Sequence, residues 1–170
     1  MHAPIADVPP LMSFEASMEP YAQLVRSLLP RAASVSLFDS SGKLLCSSAV
    51  SANPDLFVVV LQAIGERNAE DLGLHCALPD DGPAYLFWLR DGAGSIAAVA
   101  AVVCNRPPSD NHVLPFSFVH EQLKPAMELL RRDLLARASI DLLNESLTAR
   151  DKDLELLLSV TGSDPQAVGS

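Results

Sequence analysis

The chain has 170 residues, 49% hydrophobic and 19% charged, with a formal net charge of −9 and a pI near 4.7. That apolar content supports a packed core and argues against global disorder, and the length suits one compact domain with an appendage. No stretch carries the basic stripe needed to neutralise phosphates, so nucleic acid is excluded as a partner, and an anionic membrane surface is disfavoured for the same reason.

Residues 1–12 read as a flexible leader with Pro4, Pro9 and Pro10, and they lack the basic start and apolar run of a signal peptide. Residues 13–29 repeat Phe14, Met18, Tyr21, Leu24, Val25, Leu28 and Leu29 at helical spacing. Ser13 is the expected cap, Pro20 predicts a break and Pro30 an end. Ala33–Asp39 and Lys43–Ser48 read as strands joined through Ser40-Ser41-Gly42, a hairpin supported by Asp/Ser/Gly turn chemistry. Asn53 and Pro54 open a helix to about Asn68, although the β-branched run Val58-Val59-Val60 weakens it. A Gly/Pro/Asp loop follows to Pro83, with a short strand near Leu74–Leu78. Tyr85–Arg90 and Ser95–Cys104 form a second hairpin through Asp91-Gly92-Ala93-Gly94, the latter strand apolar enough to be central. Residues 105–114 read as a loop. A helix follows, with Ser117 as cap and a kink or restart at Pro125, and runs to about Val160. Ala136, Ile140, Leu143, Leu147, Arg150, Leu154 and Leu157 alternate in steps of about four and three, a heptad seam with one polar member. The simplest partner for that seam is its own copy in a parallel dimer. Residues 161–170 read as tail.

The fold class that follows is α+β: a mainly antiparallel sheet packed with helices, GAF/PAS-like, plus a long C-terminal helix. The segments V-S-L-F-D-S-S-G-K-L-L, A-Y-L-F-W-L-R-D-G-A-G-S-I-A-A-V-A-A-V-V and R-D-K-D-L-E-L-L-L, over roughly residues 15–160, resemble a GAF domain. They are similar to the N-terminal regions of bacterial cyclic-di-GMP signalling proteins that carry EAL phosphodiesterase domains. The resemblance implies a non-catalytic sensor over residues 13–116 and an output helix over 117–160, relaying a signal to a downstream effector outside this chain. The same element order also resembles the roadblock/longin-like fold, whose members are mostly interaction scaffolds. This implies the alternative, a ligand-free protein–protein interaction module.

In the GAF reading the ligand lies under Asn53–Asn68 and the loop to Pro83, with Phe57, His75, Cys76, Tyr85, Trp88 and Arg90 as pocket residues. Trp88 would stack on a flat ligand and Arg90 would hold an anion. Read blandly, the aromatic residues are core and Arg90 is solvated. Any small molecule and any cofactor stay unidentified. His75 beside Cys76 is the one adjacent pair of metal-capable side chains, and His2, His112 and His120 are scattered, so no metal site is expected. Cys46, Cys76 and Cys104 have neither zinc nor disulfide-framework spacing and read as buried or half-buried thiols in a reducing compartment, with a redox role for an exposed Cys76 left open. Asp80 and Asp81 read as turn formers. No nucleophile–base pair, G-x-S-x-G or phosphate loop appears, so catalytic residues are not expected. The longest apolar run, Ile96–Cys104, falls short of the ~20 residues a bilayer span requires, which points to the cytoplasm.

Overall fold

The computed structural model describes residues 10–51, 53–68, 70–109 and 112–162, with side chains from Met18 onward. Of the expected leader and tail, residues 1–9 and 163–170 lie outside the described residues. The chain forms two compact units, residues 1–131 and 132–170.

The first unit runs α1 (Pro10–Leu28), β1 (Ala32–Asp39), β2 (Leu44–Ser47), α2 (Pro54–Glu66), β3 (Gly73–Ala77), β4 (Pro83–Arg90) and β5 (Ile96–Cys104), then the opening turns of α3 (Phe116–Gly162). The five strands lie in the order β2-β1-β5-β4-β3, each neighbouring pair antiparallel. The apolar strand β5 is central, as its composition predicts, and both hairpins are present.

One device builds both hairpin turns. In the first, the Asp39 Oδ1 accepts from the Ser41 N–H at 2.9 Å, the Ser41 hydroxyl at 2.6 Å and the Lys43 N–H at 3.0 Å. Burial pushes the Asp39 carboxyl up, but these donors from Ser41 and Lys43 outweigh it and leave the pKa lowered. In the second, the Asp91 Oδ1 accepts from the N–H groups of Ala93 and Ser95, both at 2.9 Å. Gly42 at φ 89° and Gly94 at φ 83° supply the left-handed residue each turn needs.

Side chains alternate across the sheet, so one strand feeds two cores. On one face Phe38, Leu86, Trp88, Val99, Ala101 and Val103 pack with Leu56, Val60 and Ala63 of α2. On the other, Met18 of α1 meets Cys46 of β2 at 3.5 Å, and Phe87 meets Phe116 of α3 with ring centroids 5.6 Å apart. The Asn53 side chain caps α2 by accepting from the Asp55 N–H at 2.9 Å, and Pro54 follows at the first helical position, which offsets the poor helix propensity of three consecutive valines.

At two prolines the helix runs on without a break. Helix α1 starts before Ser13, so that position is interior rather than the expected cap, and the helix continues through Pro20. Pro20 is exposed while Met18, Ala22, Val25 and Leu29 are buried, so the apolar face holds the helix across the lost hydrogen bond. Pro125 likewise sits exposed within α3, whose opposite face buries Val119, Leu123, Ala126, Met127 and Leu130, and no restart occurs there.

Gly73 has φ 154°, and a Cβ on it would lie 1.9 Å from the Leu86 carbonyl oxygen on the neighbouring strand. Gly73→Ala is expected to cost about 1–3 kcal/mol in denaturant melts. Gly92→Ala, where a Cβ meets nothing within 4 Å, should stay within about 0.5 kcal/mol.

Candidate interaction surface

The six residues singled out for a pocket do not converge. Phe57 lies on α2, edge-on to Phe38 with centroids 5.5 Å apart. Trp88 is buried beneath the same helix, and its Nε1 has no hydrogen-bond partner. Cys76 is half-buried against that core, its Sγ 3.8 Å from the Ala84 carbonyl. Tyr85 is three positions from Trp88 on β4 and so turns to the opposite face. There its hydroxyl donates to the Leu114 carbonyl at 2.6 Å, and its ring stacks on His75 at 6.0 Å. Arg90 donates to the carbonyls of Gly94 at 2.9 Å and Asp71 at 2.9 Å, so its guanidinium braces the β4–β5 turn and the approach to β3.

The volume expected to hold a ligand under α2 is filled by Leu56, Val60 and Ala63 meeting Phe38, Leu86 and Trp88. Two surface grooves flank it. One, of about 610 Å³, runs beside β1, β2 and the start of α2, with Ser34, Ser36, Ser47, Asp55, Phe57 and Asp81 among its walls. Within it the Ser36 and Ser47 hydroxyls are paired at 2.8 Å, and the Asn53 amide donates to Asp81. The other, of about 490 Å³, is bordered by His75, Cys76, Leu78, Arg106 and Val113. No group of three or more His, Cys, Asp or Glu side chains among the described residues is placed to hold a metal ion. No described helix is long and apolar enough to cross a membrane.

The second unit contains α3 from Arg132 to Gly162. Arg137 pairs with Asp133 at 3.2 Å, one turn apart on the helix. The hydroxyls of Ser139, Thr148 and Thr161 bond back to carbonyls of their own helix. Ile140, Leu143, Leu147, Leu154 and Leu157 are each between 54% and 63% exposed, and Ala136 and Arg150 are exposed as well. Leu142, Leu156, Leu158 and Val160 are also exposed, off the seam. Sequence reasoning passed over those four, although the run Leu154–Val160 signals the last three: a helix apolar on most sides over nearly two turns needs cover on most sides.

No family model matches this chain, and no curated protein matches it. Among solved structures it is similar to Myxococcus xanthus MglB, at 16% identity over 80% of this chain and 94% of that one, with a TM-score of 0.48. It is similar to the gliding protein MglB of Thermus thermophilus, at 17% identity over 69% and 90%, TM-score 0.44. It is also similar to a Roadblock/LC7 domain from Streptomyces avermitilis, at 14% identity over 68% and 95%, TM-score 0.45. This comparison corrects the GAF resemblance and, with it, the cyclic-di-GMP and EAL association: the similar structures are MglB and Roadblock/LC7 proteins, not GAF sensors. The physical reason lies in the hairpins that carried the resemblance. Their Asp-x-x-Gly turns are local devices that any antiparallel sheet can use, and they say nothing about what lies over the sheet.

Burial raises the Cys76 thiol pKa, and burial raises Cys104 to about 11 despite the opposing charge of Arg31. A raised thiol pKa leaves less thiolate at neutral pH. Alkylation followed by intact mass should therefore show Cys76 reacting more slowly at pH 7.5 than a free thiol, and Cys46 and Cys104 protected until denaturant is added. Fast modification of Cys76 at neutral pH would contradict the burial argument.

Proposed function

We propose that this chain is a non-catalytic protein–protein interaction module of the cytoplasm that self-associates through the α3 seam. The observation that carries the reading is the row Ile140, Leu143, Leu147, Leu154 and Leu157, exposed on one helix at heptad spacing. A packed sheet domain gains nothing from such a row unless another helix covers it. Burial of each leucine contributes about 1.5–3 kcal/mol, so the row taken from two copies is of the size needed to offset an association cost of roughly 4–15 kcal/mol. The non-catalytic part is supported by the splitting of Phe57, Trp88 and Cys76 from His75 and Tyr85 across the sheet, and by the filled space under α2. Three thiols without a disulfide fit a reducing compartment.

The test is sedimentation and native mass spectrometry of the chain beside the double variant Leu143→Asp, Leu147→Asp. The wild-type chain is expected to be a dimer of bare protein mass. The variant should be a monomer whose first unit melts as in the wild type, because the substituted positions lie in the second unit. A variant of unchanged mass and affinity would remove the seam from the interface. A wild-type chain monomeric at every concentration would remove self-association.

A further inference from the structure

The seam contains one residue that a leucine zipper does not need. Arg150 occupies a d position between Leu147 and Leu154, is exposed, and has no ion pair among the described residues. An arginine buried in an apolar layer costs free energy unless a carboxylate meets it. We propose that the seam is occupied by a second copy of the chain lying parallel and in register, with Arg150 reaching Asp151 of the partner subunit. This rests on the self-association reading above and adds the register and the partner of Arg150.

The heptad places Ile140, Leu147 and Leu154 at a, and Ala136, Leu143, Arg150 and Leu157 at d. In a parallel in-register pair, a d side chain enters a hole whose rim includes the facing e residue of the same heptad. For Arg150 that residue is Asp151 of the partner subunit, so the like-charged arginines diverge, each to a carboxylate on the other helix. In an antiparallel pair of full overlap, Arg150 lies over Leu147 and beside Asn144 of the partner subunit, with no carboxylate in that hole. The Ile140 (a) and Leu143 (d) combination also suits two parallel strands.

The coil has a defined start. Parallel pairing carried further toward the N-terminus would set Asp133 against its own copy and Arg132 against Arg137 of the partner subunit. Asp133 is instead engaged by Arg137 of its own helix at 3.2 Å. Leu134 and Leu135 are half-buried, whereas every residue from Ala138 to Gly162 is exposed. Pairing therefore begins near Ile140.

Two measurements on the full chain test this. Spin labels are placed at the outward f positions by Glu145→Cys, Lys152→Cys and Ser159→Cys, each in a Cys76→Ser background. A parallel in-register coil gives one distance, roughly 20–25 Å, at all three sites, set by helix axes about 8–10 Å apart plus the label arms. The antiparallel pair lengthens at position 159 to roughly 35 Å or more, because a helix rises about 1.5 Å per residue. In the second measurement, Arg150→Glu sets like charges against Asp151 and is expected to weaken the dimer about tenfold, and adding Asp151→Arg restores it. Distances that lengthen toward 159, or a charge reversal that fails to restore affinity, overturn the proposal while leaving a dimer in place. A monomeric wild-type chain overturns the self-association reading together with the proposal.

Discussion

Strand β5 is hydrogen-bonded along both edges, to β1 and to β4, and every residue from Ala98 to Cys104 is buried. Because its side chains alternate, Val99, Ala101 and Val103 belong to the α2 core while Ala98, Ala100, Val102 and Cys104 face the opposite layer. The alanines keep the strand thin enough for a helix to approach on each side. A larger residue at Ala98 or Ala101 would push a helix layer off the sheet and disturb both hairpins through the shared ladder. The contacts of Met18 with Cys46, Phe87 with Phe116 and Leu56 with its sheet neighbours all presuppose that double-sided strand.

Local chemistry explains which parts of the fold could be read from residues alone. The Asp39 and Asp91 turns, the Asn53-Pro54 helix start and the apolar run of β5 each act over a few residues, and each was legible. Where distant packing decides, reading failed. Pro20 and Pro125 look like breaks, but helices anchored by Met18 and Val25, or by Leu123 and Leu130, continue through the proline with its ring exposed. The candidate pocket shows a different gap. Tyr85 and Trp88 are three apart on one strand, so period-two alternation already sends them to opposite faces, and that signal was available. The role of Arg90 depends on the carbonyls of Asp71 and Gly94 being brought to it, which only the closed sheet does.

The two units obey different physics. Residues up to Arg131 bury their apolar side chains within a sheet and its helix layers, so their exposed leucines are scattered among polar neighbours, as on any protein surface. From Ala138 to Gly162 no residue is buried, yet leucines recur at regular spacing. A helix of that composition holds its conformation through its backbone bonds, and its side chains await a surface. The interaction reading comes from that contrast.

Trp88 is the one tryptophan in the chain, and it lies beneath α2 with its indole N–H unpaired. Both tyrosines, Tyr21 and Tyr85, also belong to the first unit, and Arg132 to Gly162 contains no aromatic residue. Ultraviolet fluorescence and near-ultraviolet dichroism are therefore blind to the terminal helix. An optical melt followed through the indole reports the sheet and its α2 layer, while far-ultraviolet dichroism weights the long helix. Any gap between the two curves separates the loss of the globular core from the loss of the helix.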